Sequence, residues 1–316
     1  MNKSEKDVGI EMETVQQIYQ SPKDCEPDSN QKQGKKRSGR HGARNQHRHK
    51  QVVKWIVDKF PKEIASAKDV DNDINAESND EDKEQKPIQT TMHILDVAGG
   101  KGELAARMTI CHRLNVKMVD PRAANLSECF HKLIFRSLPK KWQQKISQNP
   151  TAIENALQRR FKQYVMYFPS DSERQMCLNE LESNQDLLDA VIGCSLMIGM
   201  HSDGATEAIV DIAMKYRKPF MVVPCCVFPN FFKHRFIPRS ATKEDENDNL
   251  DSFVRNVQSS RDDMIPVRSH EQFCKYLLLK DSHFTEEILP FEGRNVAICW
   301  DGERLDCDDS VNNQIE

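Results

Sequence analysis

Residues 93–120 constrain this chain more than any other stretch. His93-Ile94-Leu95-Asp96-Val97 is a short apolar run, as in a strand buried on both faces. Ala98-Gly99-Gly100-Lys101-Gly102 follows, and glycines let a backbone turn sharply and approach a ligand closely. Leu104, Ala105 and Met108 then recur at the spacing of a helix's inner face. Val116-Lys117-Met118-Val119-Asp120 reads as a second strand that ends in an acid. A strand, glycine loop, helix and parallel strand build the ligand crevice of an open α/β sheet, at the carboxyl ends of its strands.

The rest of the pattern extends that unit. Residues 164–168, 191–200 and 220–223 are expected to supply further strands, and 205–216 a helix. Residues 287–291 and 295–300 flank Glu292-Gly293-Arg294, a hairpin turn signal. Strands alternating with helices predict an α/β fold with a mostly parallel sheet, helices on both faces and an antiparallel C-terminal edge hairpin. Upstream, Val52, Val53, Trp55, Ile56 and Phe60 predict a helix, with Pro61 marking its end. The expected organisation is a disordered basic extension over 1–45, an α/β domain over 46–302 and a disordered tail over 303–316. A disordered acidic insertion is expected at about 66–90, and a surface loop at 240–252.

Charge is distributed unevenly. The 316 residues carry a net charge of −4, so the whole is no basic nucleic-acid binder. Residues 32–50, however, hold eight Lys and Arg and no acid. Such a segment can bind RNA phosphates through counterion release, or serve as a solubilising or nuclear-targeting tail. The ten cysteines include no Cys-x-x-Cys pair. They read as reduced thiols in a cytoplasmic or nuclear protein, with no metal site expected from their spacing. The first ten residues lack the apolar stretch of a secretory signal. No apolar run approaches the ~18 residues of a membrane span.

Two cofactor classes fit the glycine loop. Gly100-x-Gly102-x-x-Ala105 matches a dinucleotide pattern, with Asp120 at a suitable distance. A dinucleotide sets its pyrophosphate at the helix N-terminus, where Asp96 and Glu103 would repel it. S-adenosyl-L-methionine has no phosphate and carries a sulfonium and an ammonium against one carboxylate, so it suits nearby acids. Asp96-x-Ala98-x-Gly100-x-Gly102 resembles the first motif of the Rossmann-like methyltransferases, and Val119-Asp120 their second. Those enzymes usually have glycine where this chain has Ala98. The resemblance covers about residues 90–300. It implies a cofactor site formed by Asp96, Ala98, Gly99, Gly100, Gly102 and Asp120, with Asp96 near the methionine amino group and Asp120 on the ribose.

Two more strand ends should face the crevice: Gly199-Met200-His201 and Pro224-Cys225-Cys226. With Ala205-Thr206-Glu207 they are similar to a methyltransferase branch that includes a eukaryotic tRNA ribose methyltransferase. His201 can act as general base or hold its strand end by hydrogen bonding. Asp203 is expected as the N-cap of the next helix. Cys225 or Cys226 can be a nucleophile, as in carbon-5 cytosine methylation, or simply fill the interior. If the strand runs on, the two cysteines point to opposite sides; Pro224 argues for a turn instead. The Asp/Asn-Pro-Pro-aromatic motif of many amino-group methyltransferases is absent. The combined expectation is a methyltransferase acting on RNA. A nicotinamide-dependent oxidoreductase and a non-catalytic RNA-binding protein of the same fold are the alternatives.

Overall fold

Parallel strands β1 His93–Val97, β2 Val116–Val119, β3 Phe161–Tyr164, β4 Cys194–Met200 and β5 Phe220–Val223 form most of a seven-stranded sheet. The short strands β6 Phe236–Pro238 and β7 Met264–Pro266 pair with each other in a separate two-stranded sheet. An antiparallel pair, β8 Thr285–Ile288 and β9 Val296–Trp300, completes the main sheet in the order β3-β2-β1-β4-β5-β9-β8. This is the Rossmann-like sheet with an antiparallel edge expected from sequence. The computed structural model describes residues 48–68, 92–149, 151–170, 174–242 and 263–303, all within the unit Ala43–Glu316. The extension over 1–45, the tail beyond 303, residues 69–90 of the acidic insertion and 243–252 of the expected loop lie outside the described residues.

Every residue of β1 is buried, because the sheet is covered on both faces. Leu95 and Val97 join one core, with Leu187 and Ala190 of a helix at Gln185–Ile192, Ile209 and Ile212 of one at Thr206–Tyr216, and Phe273 of one at His270–Leu278. Ile94 joins the other core, with Ile56, Ile64, Leu104 and Phe130. That second core is covered by α1 Arg48–Lys59, α2 Pro61–Ala67, α3 Glu103–Ala106 and α4 Leu126–Cys129. A π-helical turn continues each of α3 and α4. The helices that follow are α5 Lys140–Gln148, α6 Ala152–Arg160, α7 Arg174–Ser183, α8 Gln185–Ile192, α9 Thr206–Tyr216 and α10 His270–Leu278. No helix among the described residues is long and apolar enough to cross a membrane.

Pro61 follows the end of α1 at Lys59, as expected, and starts α2 at a position that needs no backbone donor. Four expectations need correction. The first strand of the edge hairpin is Thr285–Ile288, not 287–291. The insertion begins later than residue 66, since α2 reaches Ala67 and Lys68 bridges to Leu114. The third strand is Phe161–Tyr164, not 164–168. After Tyr164 the chain turns, and Met166 N–H donates back to the Tyr164 carbonyl at 3.0 Å. The polar 240–252 loop starts with a 3₁₀ turn, Arg239–Thr242.

The strand order reverses between β1 and β4, so the connections leaving those two strands diverge and leave a crevice beyond their carboxyl ends. Asp96 on β1 is in register with Met118 on β2 and Ile198 on β4. At the sheet's edges, β3 exposes Lys162, and β8 exposes Thr285, Glu286 and Ile288. Glu287 of β8 is tied to Lys59 of α1 at 2.7 Å.

Candidate active site

The β1 end is built around a buried acid. Asp96 is 1% exposed, and its Oδ2 has no hydrogen-bond partner. Burial, and then the neighbouring Asp120, push its carboxyl up to about 7. The loop after it is packed around this group. A Cβ on Gly99 would lie 2.5 Å from Met118 Sδ and 2.8 Å from Asp96 Oδ2, so only glycine fits. Ala98 sits at φ 56°, in the left-handed region, with its N–H on the Val119 carbonyl at 2.8 Å. Gly102 caps α3 at φ 74° and packs on Leu126. Gly100 turns its N–H inward instead, donating to Asp120 Oδ2 at 2.8 Å.

Asp120 follows β2 directly and is 1% exposed. Its oxygens accept four bonds. Besides Gly100 N–H, these come from Arg122: its N–H at 2.9 Å, Nε at 3.1 Å and Nη2 at 3.2 Å. The Arg122 side chain is itself 74% exposed. Gln163 of β3 pins this loop, accepting from Ala124 N–H at 3.0 Å and donating to the Arg122 carbonyl at 2.8 Å. At the start of α3, Glu103 accepts from Arg107 at 2.9 Å and pairs with His49 at 2.9 Å. Burial opposes its charge, but those two partners hold the Glu103 carboxyl below its usual range. The first turn of α1 therefore borders the glycine loop.

The β4 end carries two left-handed residues, His201 at φ 56° and Asp203 at φ 48°. His201 N–H donates to the Val223 carbonyl at 3.1 Å, while its Nδ1 is buried without a partner. Burial, and then the charge of Arg48, lower the imidazole to about 4. Asp203 does not cap α9. It lies inside a 3₁₀ turn, Asp203–Ala205, and Ala205 stands at the N-cap position without a side-chain bond. Its carboxylate instead accepts from Cys225 Sγ at 2.9 Å. Burial, followed by each thiol's interaction with the Asp203 carboxylate, raises both the Cys225 and the Cys226 thiols. Nor do the cysteines alternate across a strand. β5 ends at Val223, and the bend at Pro224, held by His270 on its carbonyl at 2.9 Å, brings both sulfurs to Asp203.

The Ala-Thr-Glu segment proves to be structural. Thr206 Oγ1 donates to the Asp203 carbonyl at 3.0 Å and bonds Ser202 at 3.0 Å, which shapes the turn. Glu207 is buried and accepts from Arg235 at 2.6 Å, Tyr276 at 2.5 Å and Lys280 at 2.8 Å. Burial alone would raise the Glu207 carboxyl, yet Lys280 and Arg235 bring it to about 2. This network ties α9 to α10 and to the segment after the cysteines. Arg235 is sandwiched between Phe232, 3.6 Å from the ring centroid, and Phe273, 4.4 Å away. Arg122, Gln163 and Arg235 went unread in the sequence. Their local signal was weak: for Arg122 it amounted to a place two residues after the acid, across Pro121.

The structure thus gathers all nine sequence candidates along the carboxyl edge. Asp96, Ala98, Gly99, Gly100, Gly102 and Asp120 form one wall, and His201, Cys225 and Cys226 stand at the neighbouring strand ends. Such an edge offers two buried carboxylates, left-handed backbone, an unpartnered imidazole nitrogen and a thiol pair. The sequence matches no protein-family model and no curated protein.

Proposed function

We propose that the protein is an S-adenosylmethionine-dependent methyltransferase whose acceptor is RNA. The observation that carries this reading is Asp96 Oδ2, a fully buried acceptor with no partner at the topological switch point. A buried carboxyl without a donor is costly, and an ammonium group supplies the missing one. Asp120, one strand away, can take two ribose hydroxyls when the exposed Arg122 side chain swings off. The same acids disfavour a dinucleotide, because Glu103 opens α3 where a pyrophosphate would bind.

Bound there, the cofactor supplies an electrophilic methyl group on a sulfonium. The chain's own residues bind, orient and exclude water. Correct alignment can supply several kcal/mol, up to roughly 7–11 in favourable cases. His201 Nδ1 offers a hydroxyl acceptor a place for its proton. RNA is favoured because the basic segment 32–50 runs into α1, whose His49 touches the loop helix and whose Arg48 acts on His201.

The test is calorimetry with S-adenosylhomocysteine, NAD and RNA, followed by transfer from labelled donor onto total RNA and total protein. Asp120→Ala should weaken S-adenosylhomocysteine binding more than about tenfold, the worth of charge-assisted hydrogen bonds of about 1.5–3 kcal/mol. Binding of NAD without S-adenosylhomocysteine would replace this reading with an oxidoreductase. Binding of RNA alone would leave a non-catalytic RNA-binding protein.

A further inference from the structure

Asp203, Cys225 and Cys226 place one carboxylate oxygen and two sulfurs within 4.8 Å of one another. We propose that these three residues bind a zinc ion, with the fourth coordination position open to water or substrate.

Three observations converge. The first is the donor set. Two thiolates and a carboxylate suit zinc, which takes sulfur at about 2.3 Å and carboxylate oxygen at about 2.0–2.2 Å in a tetrahedron. Those lengths put ligand atoms roughly 3.5–3.8 Å apart around one ion, so the observed cluster needs to adjust by about an ångström. The second is the backbone. Asp203 is held at φ 48° and His201 at φ 56°, a left-handed backbone that L side chains rarely adopt. That strain carries the Asp203 carboxylate to the thiols instead of to the helix N-terminus where its type usually serves. The third is the hinge between the cysteines and the sheet. Pro224 and the His270 hydrogen bond to its carbonyl end β5 so that adjacent sulfurs share one side.

Cys225 Sγ donates to Asp203 Oδ1 at 2.9 Å, so thiol and carboxylate already face each other. Each thiol gives up its proton as its sulfur takes the metal, so binding releases two protons per zinc. Three anionic ligands outweigh the dication by one charge, and Arg294 supplies positive charge near Cys226. A cysteine pattern in sequence does not disclose this site, because one ligand comes from the end of β4 and two from the end of β5. Three protein ligands and one open position are the arrangement of zinc sites that act on a bound water or hydroxyl. The proposal stands independently of the cofactor reading.

The experiment uses the full chain, stripped with chelator and titrated with Zn²⁺ against a chromophoric competitor, then with Co²⁺. One equivalent should bind, with two protons released and an intense thiolate-to-cobalt charge-transfer band. Cys225→Ser, Cys226→Ser and Asp203→Asn should each weaken binding roughly a hundredfold or more, beyond the usual cost of losing a supporting hydrogen bond. Cys111→Ser, at an exposed cysteine outside the cluster, should bind as the parent does. Circular dichroism checks each variant's fold. If the buried Cys225→Ser variant fails to fold, the more accessible Cys226 and Asp203 decide. An unchanged cobalt spectrum in folded Cys226→Ser and Asp203→Asn overturns the proposal, as does a folded parent that binds neither ion below about micromolar concentration.

Discussion

Asp120 accepts four hydrogen bonds, and two of them come from the exposed Arg122 guanidinium. That side chain competes with any ligand hydroxyl. Exposed ion pairs are worth about 0.2–1 kcal/mol, so Arg122→Ala should raise S-adenosylhomocysteine affinity by up to about fivefold in calorimetry. A clear loss of affinity would instead make Arg122 a contact of the ligand. Ala98 poses a different question. Its left-handed backbone costs an alanine about 1–2 kcal/mol, partly offset because glycine has more freedom in the unfolded chain. Ala98→Gly should therefore stabilise by about 1 kcal/mol and raise Tm by roughly 2–4 °C; a lower Tm would show that the methyl packs usefully. The acids were legible because Asp96 lies next to the last residue of one recognisable strand and Asp120 directly follows another. Asp203 was not, since only the bend at Pro224 reveals that its partners are thiols.

Among the elements, α1 links the basic segment to the site. It begins at Arg48 and buries Val52, Val53 and Ile56. Deleting residues 1–45 removes six of the eight basic residues but leaves this packing intact. If each contacts a phosphate on single-stranded RNA, the log–log salt slope should fall by about 4. Cofactor affinity should stay unchanged, because the His49–Glu103 contact remains. Equal slopes for the two proteins would free the segment from any role in RNA binding. Element recognition from sequence tracked burial. β1 and β5, buried throughout, were read at their observed bounds. β3 was displaced because its Phe-Lys-Gln-Tyr is largely polar and follows α6 without a turn residue. β6 and β7 escaped notice: each has three residues including a proline, and residues 239–263 separate them.

At the scale of the molecule, the buried acid makes both folding and binding depend on pH. Asp96 titrates near 7 in the folded chain against an ordinary 3.8. Between those values the folded chain holds a proton that the unfolded chain has lost. Its contribution to stability is full below about 3.8 and disappears as pH rises through about 7. An ammonium ligand favours the carboxylate and so must expel that proton. Affinity for S-adenosylhomocysteine should thus drop about tenfold per pH unit below 7 and level off above it. Asp96→Asn should flatten the profile. A parent protein whose affinity is constant from about pH 5.5 to 8 would remove Asp96 from the ligand.

Among the described residues the main sheet ends at β3 and β8, and a bare strand edge is a template on which another chain can lay its own backbone. β8 meets that hazard with Glu286 facing out and Glu287 anchored to Lys59, and β3 with Lys162. The exposed Ile288 is preceded along its strand by two acids, Glu286 and Glu287, and charges beside an apolar residue act as gatekeepers against stacking. Two β8 edges brought together with their Glu286 carboxylates opposite each other would be destabilised by like charge. Charge along β8 thus disfavours edge-to-edge pairing of two copies through that strand.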